Sequence, residues 1–80
     1  MKPIACWRKG PFEVTAFVGI GGLLYPYWHV LFTSYLPKGD FSTYVAQGEE
    51  VDPALRDQQA LTAAHTFLAQ LESPLEEVSL

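Results

Sequence analysis

Residues 14–37, VTAFVGIGGLLYPYWHVLFTSYLP, run for 24 positions without a formal charge, between Glu13 and Lys38. Continued as one helix over 14–36, this stretch would extend about 34 Å at about 1.5 Å per residue, against a bilayer hydrocarbon core of about 30 Å. It is long enough to cross with some tilt. The remainder of the chain is too polar to wrap such a segment, and at 80 residues a single core is marginal even when well patterned. The stretch therefore predicts a single-pass membrane protein, with no room beside the span for an independent catalytic domain.

Working outward, charge is strongly segregated. The first 39 residues carry Lys2, Arg8, Lys9 and Lys38 against Glu13, a balance of +3. Residues 40–80 carry only Arg56 against Asp40, Glu49, Glu50, Asp52, Asp57, Glu72, Glu76 and Glu77, a balance of −7. The acidic half repels phosphates and anionic lipid, which disfavours nucleic acid and leaves a basic protein surface as the expected partner. Cations before the span outnumber the one after it, so the positive-inside rule puts the N-terminus on the matrix or cytoplasmic side and the tail opposite. The span exceeds a signal-peptide apolar region and lacks an A-x-A-like site, so it reads as a retained anchor. The lone Cys6 cannot form an internal disulfide; an ordinary reduced thiol is expected, with palmitoylation the alternative.

On a helical wheel the span divides into two stripes. Thr15, Gly19, Gly22, Pro26, His29 and Thr33 fall within about 40° of one line, and Phe17, Ile20, Leu24, Tyr27, Trp28, Leu31 and Tyr35 lie opposite. Small and polar residues favour close helix packing in lipid, so the first stripe is the expected packing interface toward other membrane subunits. Pro26 removes a backbone donor and predicts a kink near Gly22.

The flanks complete an all-α organisation: an N-terminal interfacial segment over 1–13, the transmembrane helix over 14–36, a linker over 37–51 and an acidic tail over 52–80. In the first, Trp7 and Phe12 suit headgroup depth and Lys9-Gly10-Pro11 opens the helix. Residues 41–51 lack a sustained period and read as an extended segment. Asp52-Pro53 is a helix start signal, and an amphipathic helix is expected over about 53–72. Its stripe of Leu61, Ala64, Leu68 and Leu71, flanked by His65, has no internal core in this scheme and is assigned to docking on a partner.

Chemistry-bearing motifs are sparse. One cysteine and the distant His29 and His65 give no metal-ligand spacing, and no nucleophile sits near a base. Gly19-Ile20-Gly21-Gly22 shares only composition with a phosphate loop, lacking a preceding strand and a Lys-Ser/Thr. The expectation is a non-enzyme with no cofactor and no small-molecule substrate. An ionisable residue inside a span is a functional candidate by default, so the alternative is a haem- or pigment-binding polypeptide using His29. A regulatory membrane micropeptide is the third reading.

Trp7, Lys9, Pro11, Val14, Phe17 and Val18, followed by the Gly21-Gly22 pair and Pro26-Tyr27, resemble a local pattern in small single-pass accessory subunits of mitochondrial NADH:ubiquinone oxidoreductase (complex I). The likeness covers about residues 7–27. It implies a structural subunit without catalytic residues, lying in the mitochondrial inner membrane against a respiratory, electron-transport complex, with its tail in the intermembrane space.

Overall fold

The computed structural model describes residues 1–80, and the charge-free run is not a helix. It folds as two antiparallel strands joined by a glycine-rich loop. The elements are β1 (Lys2–Lys9), β2 (Phe12–Val18), a short 3-10 turn (Gly22–Leu24), β3 (Tyr27–Leu36), β4 (Gly39–Glu49), α1 (Pro53–Leu68) and β5 (Glu76–Val78). Four strands form a meander; α1 then crosses the sheet and β5 returns to pair antiparallel with β1, giving the order β4-β3-β2-β1-β5.

The residues of the run account for the strands. Val, Thr, Phe, Tyr and Trp favour a pleated, half-buried surface. The two segments alternate with period 2: Val14, Ala16 and Val18 are buried, as is Val30, with Trp28 and Phe32 packed against the same cluster. Register places Val14 opposite Phe32, Ala16 opposite Val30 and Val18 opposite Trp28, so all six share one face. On β1 the same face receives Ala5 and Trp7, opposite Ala16 and Val14. Gly10-Pro11 forms the turn of the first hairpin, with Gly10 at φ 58°; it does not open a helix.

Helix α1 begins where Asp52-Pro53 places it. The Asp52 carboxylate accepts hydrogen bonds from the Ala54 amide at 3.0 Å and the Leu55 amide at 3.4 Å, and Pro53 occupies the first turn. Arg56, Ala60 and Ala64 recur at four-residue spacing and are the buried residues of the helix. The two alanines carry no bulk beyond Cβ and let the helix lie close on the sheet. Phe67 meets Phe32 with ring centroids 5.5 Å apart, and His65 meets Trp7 edge-on at 5.2 Å. Trp28 donates from Nε1 to the Gln59 side chain at 3.1 Å.

Several expectations are thereby corrected. The architecture is mostly antiparallel sheet with one helix, not all-α. No helix is long and apolar enough to cross a membrane, so the single-pass span over 14–36, and the inner-membrane placement and topology built on it, are withdrawn. The interfacial segment over 1–13 is β1 with its hairpin turn, and Trp7 is core, not headgroup-facing. The helix ends at Leu68 instead of near residue 72, and it has an internal partner, the sheet.

Candidate binding surface

Helix α1 covers one face of the sheet. The other face carries the odd-numbered residues of β2 and β3, which the register lines up across the strands: Cys6, Thr15, Leu31 and Tyr44 form one row, Arg8, Glu13, Thr33 and Ser42 a second, and Phe17, His29 and Gln47 a third. Two regions of different chemistry result.

The first is polar and centres on Glu13. Arg8 Nε donates to Glu13 Oε1 at 3.1 Å, with a second charge-assisted contact through Nη2. The Tyr35 hydroxyl donates to Oε2 at 2.7 Å, and the Cys6 thiol lies 3.5 Å from Oε1. Partial burial alone would raise the Glu13 carboxyl, but the donors from Arg8, Tyr35 and Cys6 outweigh it and hold it below the ordinary glutamate value. Tyr35 is raised because its hydroxyl is engaged by that carboxylate. Cys6 is raised by burial, reinforced by the Glu13 charge and opposed by the hydrogen bond that Thr15 Oγ1 donates to its sulfur at 3.5 Å. A buried thiol kept protonated is a poor nucleophile and a poor palmitoylation site. The Thr33 and Ser42 hydroxyls pair at 3.0 Å and continue the network toward the sheet edge.

The second region is aromatic. The His29 ring lies between Phe17 at 5.0 Å and Tyr44 at 4.6 Å, with Leu31 in the neighbouring row. Burial lowers the His29 pKa, so the imidazole is neutral near pH 7. Tyr44 is 61% exposed and forms the outer wall of the patch. Its strand, β4, is one edge of the sheet, β5 being the other. A bulge opposite the Val30–Leu31 step, and the acids Asp40 and Glu49 toward its ends, blunt that edge against uncontrolled strand addition.

The residues singled out as one helical stripe separate into two places. Thr15, His29 and Thr33 sit on this open face, while Gly19, Gly22 and Pro26 belong to the β2–β3 loop or border it. They do not form a continuous surface, because a spacing of three to four changes sides in a strand. Of the residues assigned to tail docking, Ala64 is buried core, and Leu61 and Leu68 pack beside it. Leu71 lines a groove of about 460 Å³ with Phe12, Phe32 and Leu75. No three or more His, Cys, Asp or Glu side chains converge in a way that could hold a metal ion. The helix implied by the complex I resemblance is absent; Trp7, Lys9 and Pro11 lie in β1 and its turn, and Val14, Phe17 and Val18 in β2. Sequence reasoning missed Glu13, Arg8, Tyr35, Phe17 and Tyr44 as one surface. The signal available was the odd–even alternation of residues 13–17 and 29–35.

No family model matches this sequence, and comparison with curated proteins and with solved structures gives no significant match.

Proposed function

We propose that this chain is a non-catalytic, accessory protein-interaction domain that binds a partner polypeptide on the uncovered face of its sheet. The observation that supports it is the His29 cluster: three aromatic side chains in tilted and edge-on contact on the sheet face that the helix leaves uncovered, with a polar network beside them. A central apolar and aromatic patch bordered by fixed polar groups has the anatomy of a protein–protein contact. Tyr44 and Phe17 supply rigid contact area, and the Arg8–Glu13–Tyr35 group supplies directional hydrogen bonding held in one geometry before binding. Bulge and terminal acids make the β4 edge itself a poor template, so the face is the docking element. The accessory character expected from the sequence is retained in this reading; its membrane setting is not.

The test is quantitative co-purification of the full chain from its producing cells. Tyr44→Asp should remove a stoichiometric partner, whereas Thr66→Asp, on the exposed side of α1, should leave it in place. Equal recovery with both folded variants would refute the assigned face.

A further inference from the structure

A second exposed apolar surface lies at the end of the sheet, centred on the β2–β3 loop and bordering that face at Tyr27. The β2–β3 loop presents Ile20, Leu23 and Leu24, which are 61%, 93% and 54% exposed. Tyr27, Val51 and Leu55 are exposed around it at the same end of the molecule, where the Glu50 amide bonds to the Pro26 carbonyl at 2.7 Å. A leucine left almost wholly in water gains nothing for the fold. A contiguous apolar patch of this kind marks a contact surface.

The loop is nonetheless held in one conformation. Arg56 reaches from the first turns of α1, and its Nη1 donates to the Gly19 carbonyl at 2.9 Å and the Tyr25 carbonyl at 2.6 Å. Its guanidinium also lies 5.1 Å from the Tyr25 ring centroid and pairs with Asp57 at 3.0 Å. A buried guanidinium is costly unless every such partner is in place. Here two of them lie in the segment that displays the leucines. Gly19 is required for the same fold, since a Cβ there would run into the Leu24 carbonyl. Rigidifying a loop ahead of contact reduces the ordering cost of binding. A loop that served only to connect two strands needs neither device.

Charge identifies the occupant. The flank toward β4 and α1 carries Glu49, Glu50 and Asp52, and its one cation, Arg56, is 7% exposed and turned onto backbone carbonyls. Lys2 lies on the opposite, β1 flank, paired with Val18. We infer that the β2–β3 loop inserts Leu23 and Leu24 into an apolar groove of a second protein whose rim is cationic on the side facing Glu49. An anionic membrane surface would be repelled by the same flank, and in a self-associated pair the acids would face one another. The contact is centred on the loop and meets the open sheet face at the Tyr27–Glu49 row, next to His29 and Gln47.

The experiment places a photo-crosslinking amino acid at position 23, and at position 66 as a control, in the full chain within its producing cells. The protein captured only from position 23 is then purified and its affinity measured by calorimetry. Leu23→Ser should weaken binding at least about tenfold. Glu49→Lys should weaken it about two- to fivefold at low salt, with the difference vanishing at high salt. Tyr44→Asp should leave it unchanged, which separates this contact from the one on the sheet face. Circular dichroism confirms that each variant is folded. Absence of a position-23 capture, binding indifferent to Leu23→Ser, or binding indifferent to Glu49→Lys overturns the inference. So does flotation of the chain with phosphatidylcholine or phosphatidylcholine–phosphatidylglycerol vesicles that Leu23→Ser abolishes, or a dimer in sedimentation that Leu23→Ser dissociates.

Discussion

Arg56→Met is the most informative perturbation of this fold. Methionine retains most of the aliphatic stem but removes the donors to the Gly19 and Tyr25 carbonyls, 2.9 and 2.6 Å away. Hydrogen bonds to a charged donor contribute about 1.5–3 kcal/mol each, and the carbonyl left inside loses its partner. Tyr25 is only half-buried, so water recovers part of the second bond, and a net loss of about 3–4 kcal/mol follows. A domain of 80 residues has a total stability of about 4–12 kcal/mol at about 0.05–0.15 kcal/mol per residue. With an unfolding entropy of about 2.1 cal/mol/K per residue, each kcal/mol moves Tm by about 6 °C, so Tm should fall by about 18–24 °C. Asp57→Asn is the control: the Asp57 side chain is 42% exposed and asparagine keeps an oxygen that accepts from Arg56 Nε, so the change should cost under about 1 kcal/mol. Thermal unfolding followed by circular dichroism gives the stability, and amide hydrogen exchange localises it. The amides of residues 19–25 should lose protection first. A Tm shift under about 5 °C, with loop exchange unchanged, would refute the role assigned to Arg56.

Further outcomes follow from burial and titration. Val30→Ala, at a fully buried central position, should cost about 2–3 kcal/mol in urea unfolding, whereas Leu24→Ala should stay within about 0.5 kcal/mol. Glu13 has a folded-state pKa below its unfolded one, so its network stabilises fully above the ordinary glutamate range and is lost as pH falls through the folded value. The stability difference between wild type and Glu13→Gln should therefore be present at pH 7 and shrink as pH drops below the ordinary glutamate range. Cys6, buried and raised in pKa, should react slowly with a disulfide reagent at pH 7 and rapidly once urea unfolds the chain. Gly48→Ala would drive a methyl into the Trp28 indole, and a loss of about 1–3 kcal/mol with altered tryptophan fluorescence is expected.

The helix was legible because its signals are local. Asp52, Pro53 and the alanine-rich run act within a few residues, and no distant partner decides them. The buried line differs in detail from the leucine stripe, running through Arg56, Ala60 and Ala64, because small residues, not large ones, set the distance to the sheet. The strands were hidden by the chemistry of their outer face. In a sheet half-exposed to water, alternate positions are usually charged or strongly polar. Here Phe17, His29 and Leu31 occupy them, and hydropathy shows an unbroken apolar run. The uncharged outward positions that imitate a membrane span are the ones the proposed binding surface uses. Gly19-Ile20-Gly21-Gly22 and Pro26 are stronger as strand breakers than as helix-packing residues, and that reading would have divided the run correctly. β5 left no such trace: Glu76-Glu77-Val78 has little strand preference and forms only because β1 offers it an edge.

That last pairing makes the two indoles into clocks for different stages of folding. Trp7 stands opposite Glu77 and against His65, so its surroundings are complete only after some seventy residues of intervening chain have been ordered. Trp28 is framed by Val18, Gly48 and Gln59 and needs only the meander and the start of the helix. Closing a long loop is entropically slower to be rewarded than closing a short one. In stopped-flow refolding, a Trp7→Phe variant reports the hairpins zipping through Trp28. A Trp28→Phe variant reports through Trp7 the arrival of the final strand, as the later phase.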